Sequence, residues 1–278
     1  MSRPCVALAT ASTWPDLDED GPLLRDALAR EGLDTTIAVW NDPAVAWDAF
    51  DLVLLRNTWD YWDRHDEFLA WTRTVPQLLN SAEVVAWNTD KTYLLDLQAQ
   101  GVPVVPTTWL RPGDSVDLPA AGRFVVKPSV SAGARDTAAY DGPDPAAQAH
   151  VQGLLAAGRT VMVQPYLDQV DTEGETAVLV FAGQVSHAAR KSAVLTTGAG
   201  VPELGSWTMT PREPTAEQVE LALAVTAGRD LVYARVDLLP TPTGPVVVEL
   251  EVTEPSLYLR RAPGSAQRLA GAVRRRLP

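Results

Sequence analysis

Three short apolar runs near the start of the chain, Val6–Thr10, Thr35–Trp40 and Asp51–Arg56, constrain the fold more than any other feature. Each has the length of a strand. The third, DLVLLR, is apolar along both faces, as in a sheet covered on two sides. A helical pattern separates the first two. Asp20-Gly21-Pro22 opens it, with Asp20 placed to cap and Pro22 in the first turn; Leu23, Leu24, Ala27 and Leu28 supply an apolar stripe, and Gly32 stops it. A strand–helix–strand start predicts a parallel sheet flanked by helices.

The pattern changes near Trp87–Thr89. A helix is predicted over Thr89–Gln100, ended by Gly101. GVPVVPTTWL then reads as extended chain, GRFVVKP as a strand, Asp144–Ala157 as a helix and RTVMVQPYL as another strand. Ala177–Phe181 and Gln184–Ala188 flank Ala182-Gly183, a two-residue hairpin signal. After a helix at Glu217–Ala227, Leu231–Leu239 and Pro245–Val252 form a second hairpin around PTPTG, and Ser265–Arg276 closes the chain as a helix. An α/β unit is thus followed by a mostly antiparallel α+β region, and 278 residues suit about two domains.

Composition removes several function classes. With 23 basic and 35 acidic residues the net charge is −12, which gives no general attraction for nucleic acid or an anionic membrane. Cys5 is the only cysteine, so no internal disulfide forms, and a lone thiol fits a reducing cytoplasm. No stretch approaches 18 apolar residues, and the N-terminal run is too weakly apolar for a signal peptide. Neither GxxxxGK[ST] nor a GxGxxG after the first strand is present, and three histidines with one cysteine make a poor zinc set.

The densest chemistry lies in YARVDLLPTPTGPVVVELEVTEP. On a strand Glu249 and Glu251 point to one face and Leu250 to the other, and the hairpin brings Asp237 beside them. Three carboxylates on one apolar-flanked face repel unless a cation such as Mg²⁺ joins them. Arg235 shares that face and could reach a phosphate; a solvated Arg–carboxylate pair is the plain alternative. Lys91 stands at the start of the expected Thr89 helix. Lys127 closes the strand FVVK ahead of a loop with Ser129, Ser131 and Gly133 that could fold over a phosphate chain; each lysine could equally be a solvated surface group. His187 and Lys191 share one face of their strand, with Arg190 on the other. Loops at the carboxyl ends of parallel strands favour ligands. There Arg56 could grip a substrate carboxylate while Trp14, Trp59, Tyr61 and Trp62 wall a pocket, or Arg56 could pair with an Asp and the tryptophans pack an interface.

Taken in order, NTDKTYLLD, RFVVKPSVSAGA, VMVQPYL, EGETAVLVFAGQVSHAARK, ARVDLL and VVELEVTEP resemble the ATP-grasp superfamily, nearest to glutathione synthetase-like ligases and an actinobacterial group of cyclo-ligases. The resemblance implies an ATP-grasp fold: a parallel α/β domain over residues 1–88, then two α+β subdomains, 89–165 on the lid side and 166–278 on the metal side, gripping ATP. It implies that Lys91 and Lys127 hold the phosphates, that Ser129, Ser131 and Gly133 belong to the lid, and that Gln164, Tyr166 and Leu167 line the adenine hinge. Glu175 would contact the ribose. Arg190 or Lys191 would neutralise the γ-phosphate, with Arg235 alongside, and Asp237, Glu249 and Glu251 would bind one or two Mg²⁺, with Mn²⁺ able to substitute. The lid is poorer in glycine than is usual, Glu251 stands where Asn is common, and Ala193–Arg212 matches nothing in the pattern.

The implied activity is ADP-forming ligation through an acyl phosphate, on an amino-acid-like small molecule touched by Arg56, Trp14, Trp59, Tyr61 and His187. Either a separate amine attacks, or the substrate closes its own small ring, as in conversion of an O-ureido-serine to cycloserine. A non-catalytic ATP sensor is the third reading. Relatives of this kind are often homodimers.

Overall fold

The structure is a computed structural model and describes residues 2–193 and 208–277. Its first part comprises β1 (Cys5–Thr10), α1 (Gly21–Arg30), β2 (Asp34–Val39), β3 (Leu52–Asn57), α2 (His65–Thr72) and β4 (Leu78–Leu79), with strand order β2-β1-β3-β4 and every pair parallel. β3 is buried along its full length, as its unbroken apolar run requires. Asp20 precedes α1 but does not cap it. Its carboxylate accepts the N–H groups of Leu259 and Arg260 at 2.8 and 3.0 Å, so it ties the start of the helix to the far end of the chain.

The helix expected over Thr89–Gln100 is shortened to α4 (Tyr93–Ala99), and a separate helix, α3 (Ala82–Asn88), precedes it. Ser81 caps α3 by accepting the Val84 N–H. Two diversions break the helix between them: the Asp90 carboxylate takes the Thr92 N–H, and the Lys91 N–H goes to the Ser129 carbonyl across the molecule. Lys91 therefore sits in the inter-helix turn rather than at a helix start.

A second sheet follows, from β5 (Thr108–Leu110), β6 (Arg123–Pro128), β7 (Ala138–Asp141), α5 (Pro145–Ala156) and β8 (Val161–Pro165), antiparallel in the order β5-β8-β6-β7. β6 alternates: Phe124 and Val126 bury themselves with Val151 and Leu154 of α5, while Val125 and Lys127 turn the other way.

The third sheet is built from α6 (Gln169–Glu173), β9 (Glu175–Phe181), β10 (Gln184–Lys191), β11 (Met209–Arg212), α7 (Ala216–Thr226), β12 (Tyr233–Thr241) and β13 (Gly244–Glu251), ordered β11-β10-β9-β12-β13 and antiparallel throughout. The β9–β10 turn places Ala182 and Gly183 at φ 46° and 76°, the left-handed geometry a two-residue hairpin needs. Residues 194–207, most of the stretch that matched nothing, lie outside the described residues. Finally α8 (Ser265–Arg274) returns to the first sheet, where Leu269 and Val273 share a core with Leu24 and Leu28 of α1. Among the described residues no helix is long and apolar enough to cross a membrane.

Candidate functional site

A cleft of about 480 Å³, within the usual range for small-molecule sites, is lined by β6, β8, the third sheet and the loops after β1 and β3. Sixteen residues singled out from sequence reach it: Trp14, Trp59, Tyr61, Trp62, Lys91, Lys127, Ser131, Gly133, Gln164, Tyr166, Leu167, Glu175, Lys191, Arg235, Glu249 and Glu251.

Strand register accounts for most of this convergence. Arg235 pairs with Glu251 and Asp237 with Glu249 across β12–β13, so all four share one face. A bulge at Val248 follows, which bends the strand at the carboxylates. Lys127 and Val125 lie opposite Met162 and Gln164 on the cleft face of the second sheet. Lys191 and Glu175 are cross-strand partners, with Nζ 2.8 Å from Oε2.

The acidic groups arrive with cations attached. Lys91 Nζ donates to the Ser131 carbonyl at 2.9 Å and lies 3.1 Å from Glu249 Oε1. Arg235 grips Asp237 through Nε and NH2, both at 2.9 Å, and also contacts Glu251. Burial pushes the Glu251 carboxyl up to about 7 despite Arg235. Burial also lifts Glu249, but Lys91 and Lys127 outweigh it and hold that group below the usual range. Lys127 has no ion-pair partner among the described residues, and burial lowers its ammonium to about 8.

Five expected site residues do not line the cleft. Ser129 is buried, its N–H on the Thr160 carbonyl and its carbonyl holding the Lys91 N–H, so it anchors the loop instead of covering anything. Arg190 points away from Lys191, as strand alternation requires, and donates to the carbonyls of Glu173 and Thr172 at 2.7 and 3.0 Å. Asp237 is screened from the cleft because Arg235 occupies both of its oxygens. Among the described residues no group of three or more His, Cys, Asp or Glu forms a ready metal cage; of the three expected metal ligands, Glu249 and Glu251 open on the cleft.

Arg56 and His187 belong to a clamp. From Val252 to Leu257 every main-chain carbonyl accepts a side-chain donor: Asn80 on Val252 (2.6 Å), Tyr233 on Thr253 (2.7 Å), Trp59 on Glu254 (2.9 Å), Arg56 on Pro255 (3.3 Å), Arg235 on Ser256 (3.3 Å) and His187 on Leu257 (2.9 Å). Burial holds the His187 imidazole down at about 4, which keeps it neutral. It shares a strand face with Lys191 but stands four residues along, about 13 Å away by strand rise. The clamped segment presents Glu254, Ser256 and Tyr258 to the cleft. None of these three was read from the sequence, although Glu254 lies only three residues past Glu251.

The loop between β6 and β7 closes the site's rim. Ser131 Oγ donates to the Arg135 carbonyl at 2.8 Å, and the Arg135 guanidinium lies 4.6 Å from the centre of the Trp62 ring. Where glycine is sparse, Ala134 and Asp136 take left-handed backbone angles, φ 58° and 51°, so the loop is held by contacts rather than by intrinsic preference.

Residues 6–80 match the family model for the N-terminal domain of D-cycloserine synthetase DcsG. The chain is 36% identical to the cycloserine biosynthesis protein DcsG of Streptomyces lavendulae, over 98% of both chains. It superposes on the crystal structure of D-cycloserine synthetase DcsG with TM-score 0.88 and 34% identity, covering 99% of this chain and 100% of that one. The ATP-grasp ligase PsnB, solved with a precursor variant, Mg and ADP, shares the fold at TM-score 0.63 and 18% identity over 98% of each chain. The parallel sheet, the two antiparallel sheets facing a cleft and the full-length likeness agree, and the chain belongs to the DcsG family of ATP-grasp ligases.

Proposed function

We propose that the enzyme binds ATP and Mg²⁺ in the cleft and activates the carboxylate of a small amino-acid-like substrate for amide formation. The observation that carries this reading is that Lys127 of β6 and Glu249 of β13, from separate sheets, face one cavity. Lys91, Lys127 and Lys191 supply cations for a triphosphate, and Gln164 to Leu167 an edge for the base. Glu249 and Glu251 fit a hard divalent ion by donor chemistry, and at Glu251 burial outweighs the Arg235 cation. Mg²⁺ held there would neutralise phosphate charge. Asp237 would support it through Arg235.

In the reaction the substrate carboxylate oxygen attacks the γ-phosphorus, giving an acyl phosphate and ADP. The amine nitrogen then adds to the acyl carbon, phosphate leaves, and the nitrogen's proton passes to solvent or phosphate. Positioning by the lysines and Arg235, with the Ser131–Thr137 loop excluding water, carries the catalysis. The full-length likeness to a D-cycloserine synthetase favours a nucleophile within the same molecule.

ADP release tests both forms. Stimulation by one compound alone, such as an O-ureido-serine, supports ring closure; stimulation only by pairs of amino acids supports joining of two molecules; no stimulation by either, or turnover undiminished by removing Mg²⁺, defeats the reading.

A pH effect follows from Lys127. The ammonium form holds phosphate, and it is lost as pH rises through about 8. On this account kcat/KM for ATP falls toward tenfold per pH unit above that point. A profile flat to pH 10 would remove Lys127 from phosphate binding.

A further inference from the structure

Seven carboxylates face the cleft or stand directly behind it. Asp63 is exposed to water and half-buried Asp60 accepts the Trp40 indole N–H at 2.8 Å; of the other five, four are compensated. Asp237 and Glu251 share Arg235, Glu249 has Lys91 and Glu175 has Lys191. Glu254 is the exception. No described residue forms an ion pair with it, and residues 194–207 contain no Lys, Arg or His that could. It is 8% exposed, yet it lines the cavity. An acid buried to this degree and left alone is unfavourable unless a cation or a proton meets it.

Its position is fixed from three directions. Tyr233, Trp59 and Arg56 hold the carbonyls of Thr253, Glu254 and Pro255, so the side chain is presented by a rigid backbone. The adjoining wall is aromatic. Trp14 and Trp59 meet edge to face with centroids 4.8 Å apart, and Tyr61 lines the same cavity. A carboxylate beside aromatic faces is a combination that holds organic ammonium ions, through charge-assisted hydrogen bonds and the ring quadrupole. The cationic groups of the cleft, Lys91, Lys127, Arg135, Lys191 and Arg235, attract anions and cannot play this part.

We infer that Glu254, with the Trp14 and Trp59 wall, binds the free ammonium group of the substrate, so that the molecule whose carboxylate is activated carries an unblocked amine. The inference rests on the ligase reading above. Burial, with Glu251 and Glu249 adding to it, lifts the Glu254 carboxyl to about 8. A bound ammonium is the ligand that returns it to the ionised form.

The test uses two probes that differ only in the amine: D-cycloserine, named for the relatives' product, and isoxazolidin-3-one, the same ring without the amino group. Calorimetric titration in the presence of ADP is expected to show the wild-type protein preferring D-cycloserine by about 30-fold, the size of a charged hydrogen bond. Glu254→Gln is expected to bind both rings equally, and Glu254→Asp to recover part of the preference. In ADP-release assays Glu254→Gln raises KM for an amine-bearing carboxylate by a similar factor while the KM for ATP and the Mg²⁺ requirement stay put. Equal binding of the two rings by the wild-type protein overturns the assignment, and so does a Glu254→Gln variant that keeps the preference or whose main change is in Mg²⁺ dependence. Thermal unfolding of each variant separates a folding defect, which Glu254→Asp would not share. Failure of every amino carboxylate to stimulate ADP release strikes the ligase reading instead, and the ring comparison still decides Glu254.

Discussion

Replacing Lys127 by Met is expected to lower kcat/KM for ATP by about 10³ while leaving the protein at least as stable as the parent. The two effects come from one cause. Lys127 is an ammonium held in a half-buried position with no ion-pair partner among the described residues, and burial brings it down to about 8. Between that value and its ordinary 10.5 the unfolded chain binds the proton more tightly than the folded one. The group therefore opposes folding fully below about pH 8, and the opposition fades as pH rises toward 10.5. A triphosphate supplies the missing partner, and losing a preorganised cation at a developing charge is worth about 10³ in rate. Met fills the same volume without the charge. Steady-state ADP release and thermal unfolding at pH 7 check the pair: a large drop in melting temperature, or activity within tenfold of the parent, would show that Lys127 serves the fold rather than the nucleotide.

The second large effect concerns stability alone. Asn80→Ala is expected to destabilise the protein by about 3–5 kcal/mol, lowering the melting temperature by about 10 °C. Asn80 Nδ2 donates to the carbonyls of Tyr233 and Val252 at 2.9 and 2.6 Å, and Oδ1 accepts the Val232 N–H at 2.8 Å. Alanine leaves all three main-chain groups buried without that partner. It must also adopt φ 58°, a left-handed angle that asparagine tolerates and alanine resists. Asn80→Gly isolates the two contributions, since it relaxes the backbone but restores no hydrogen bond. Calorimetric melting of the pair should place glycine between parent and alanine; two variants with the parent's melting temperature would refute the clamp.

These two residues also mark where sequence reading succeeds and where it stops. Lys127, Glu249 and Glu251 were legible because strand alternation is local: an apolar run with period two announces which side chains share a face. The same logic put Arg190 opposite Lys191. It did not reveal that Arg190 serves the end of α6, because that partner lies 17 residues away in another element. Asn80 offered no local signal, being one polar residue before a helix, and its partners stand 153 and 172 residues on. Asp20 read as a cap because caps are common there, yet its oxygens were taken by Leu259 and Arg260, 239 and 240 residues downstream. Arg56 and His187 looked like site residues by type and position. Arg56 NH2 and His187 Nε2 went to carbonyls of an irregular segment that has no ladder of its own to satisfy them. The same blindness hid Glu254, whose role depends on which of its neighbours are already paired.

The docking of α8 on α1 has a consequence for biosynthesis. Leu24 and Leu28 leave the ribosome 245 residues before Leu269 and Val273 respectively. That face of the first sheet must therefore wait, greasy and uncovered, until α8 has been made. Nascent chains stalled before residue 265 should recruit chaperones or clump at that face, whatever the condition of the domains already made behind it.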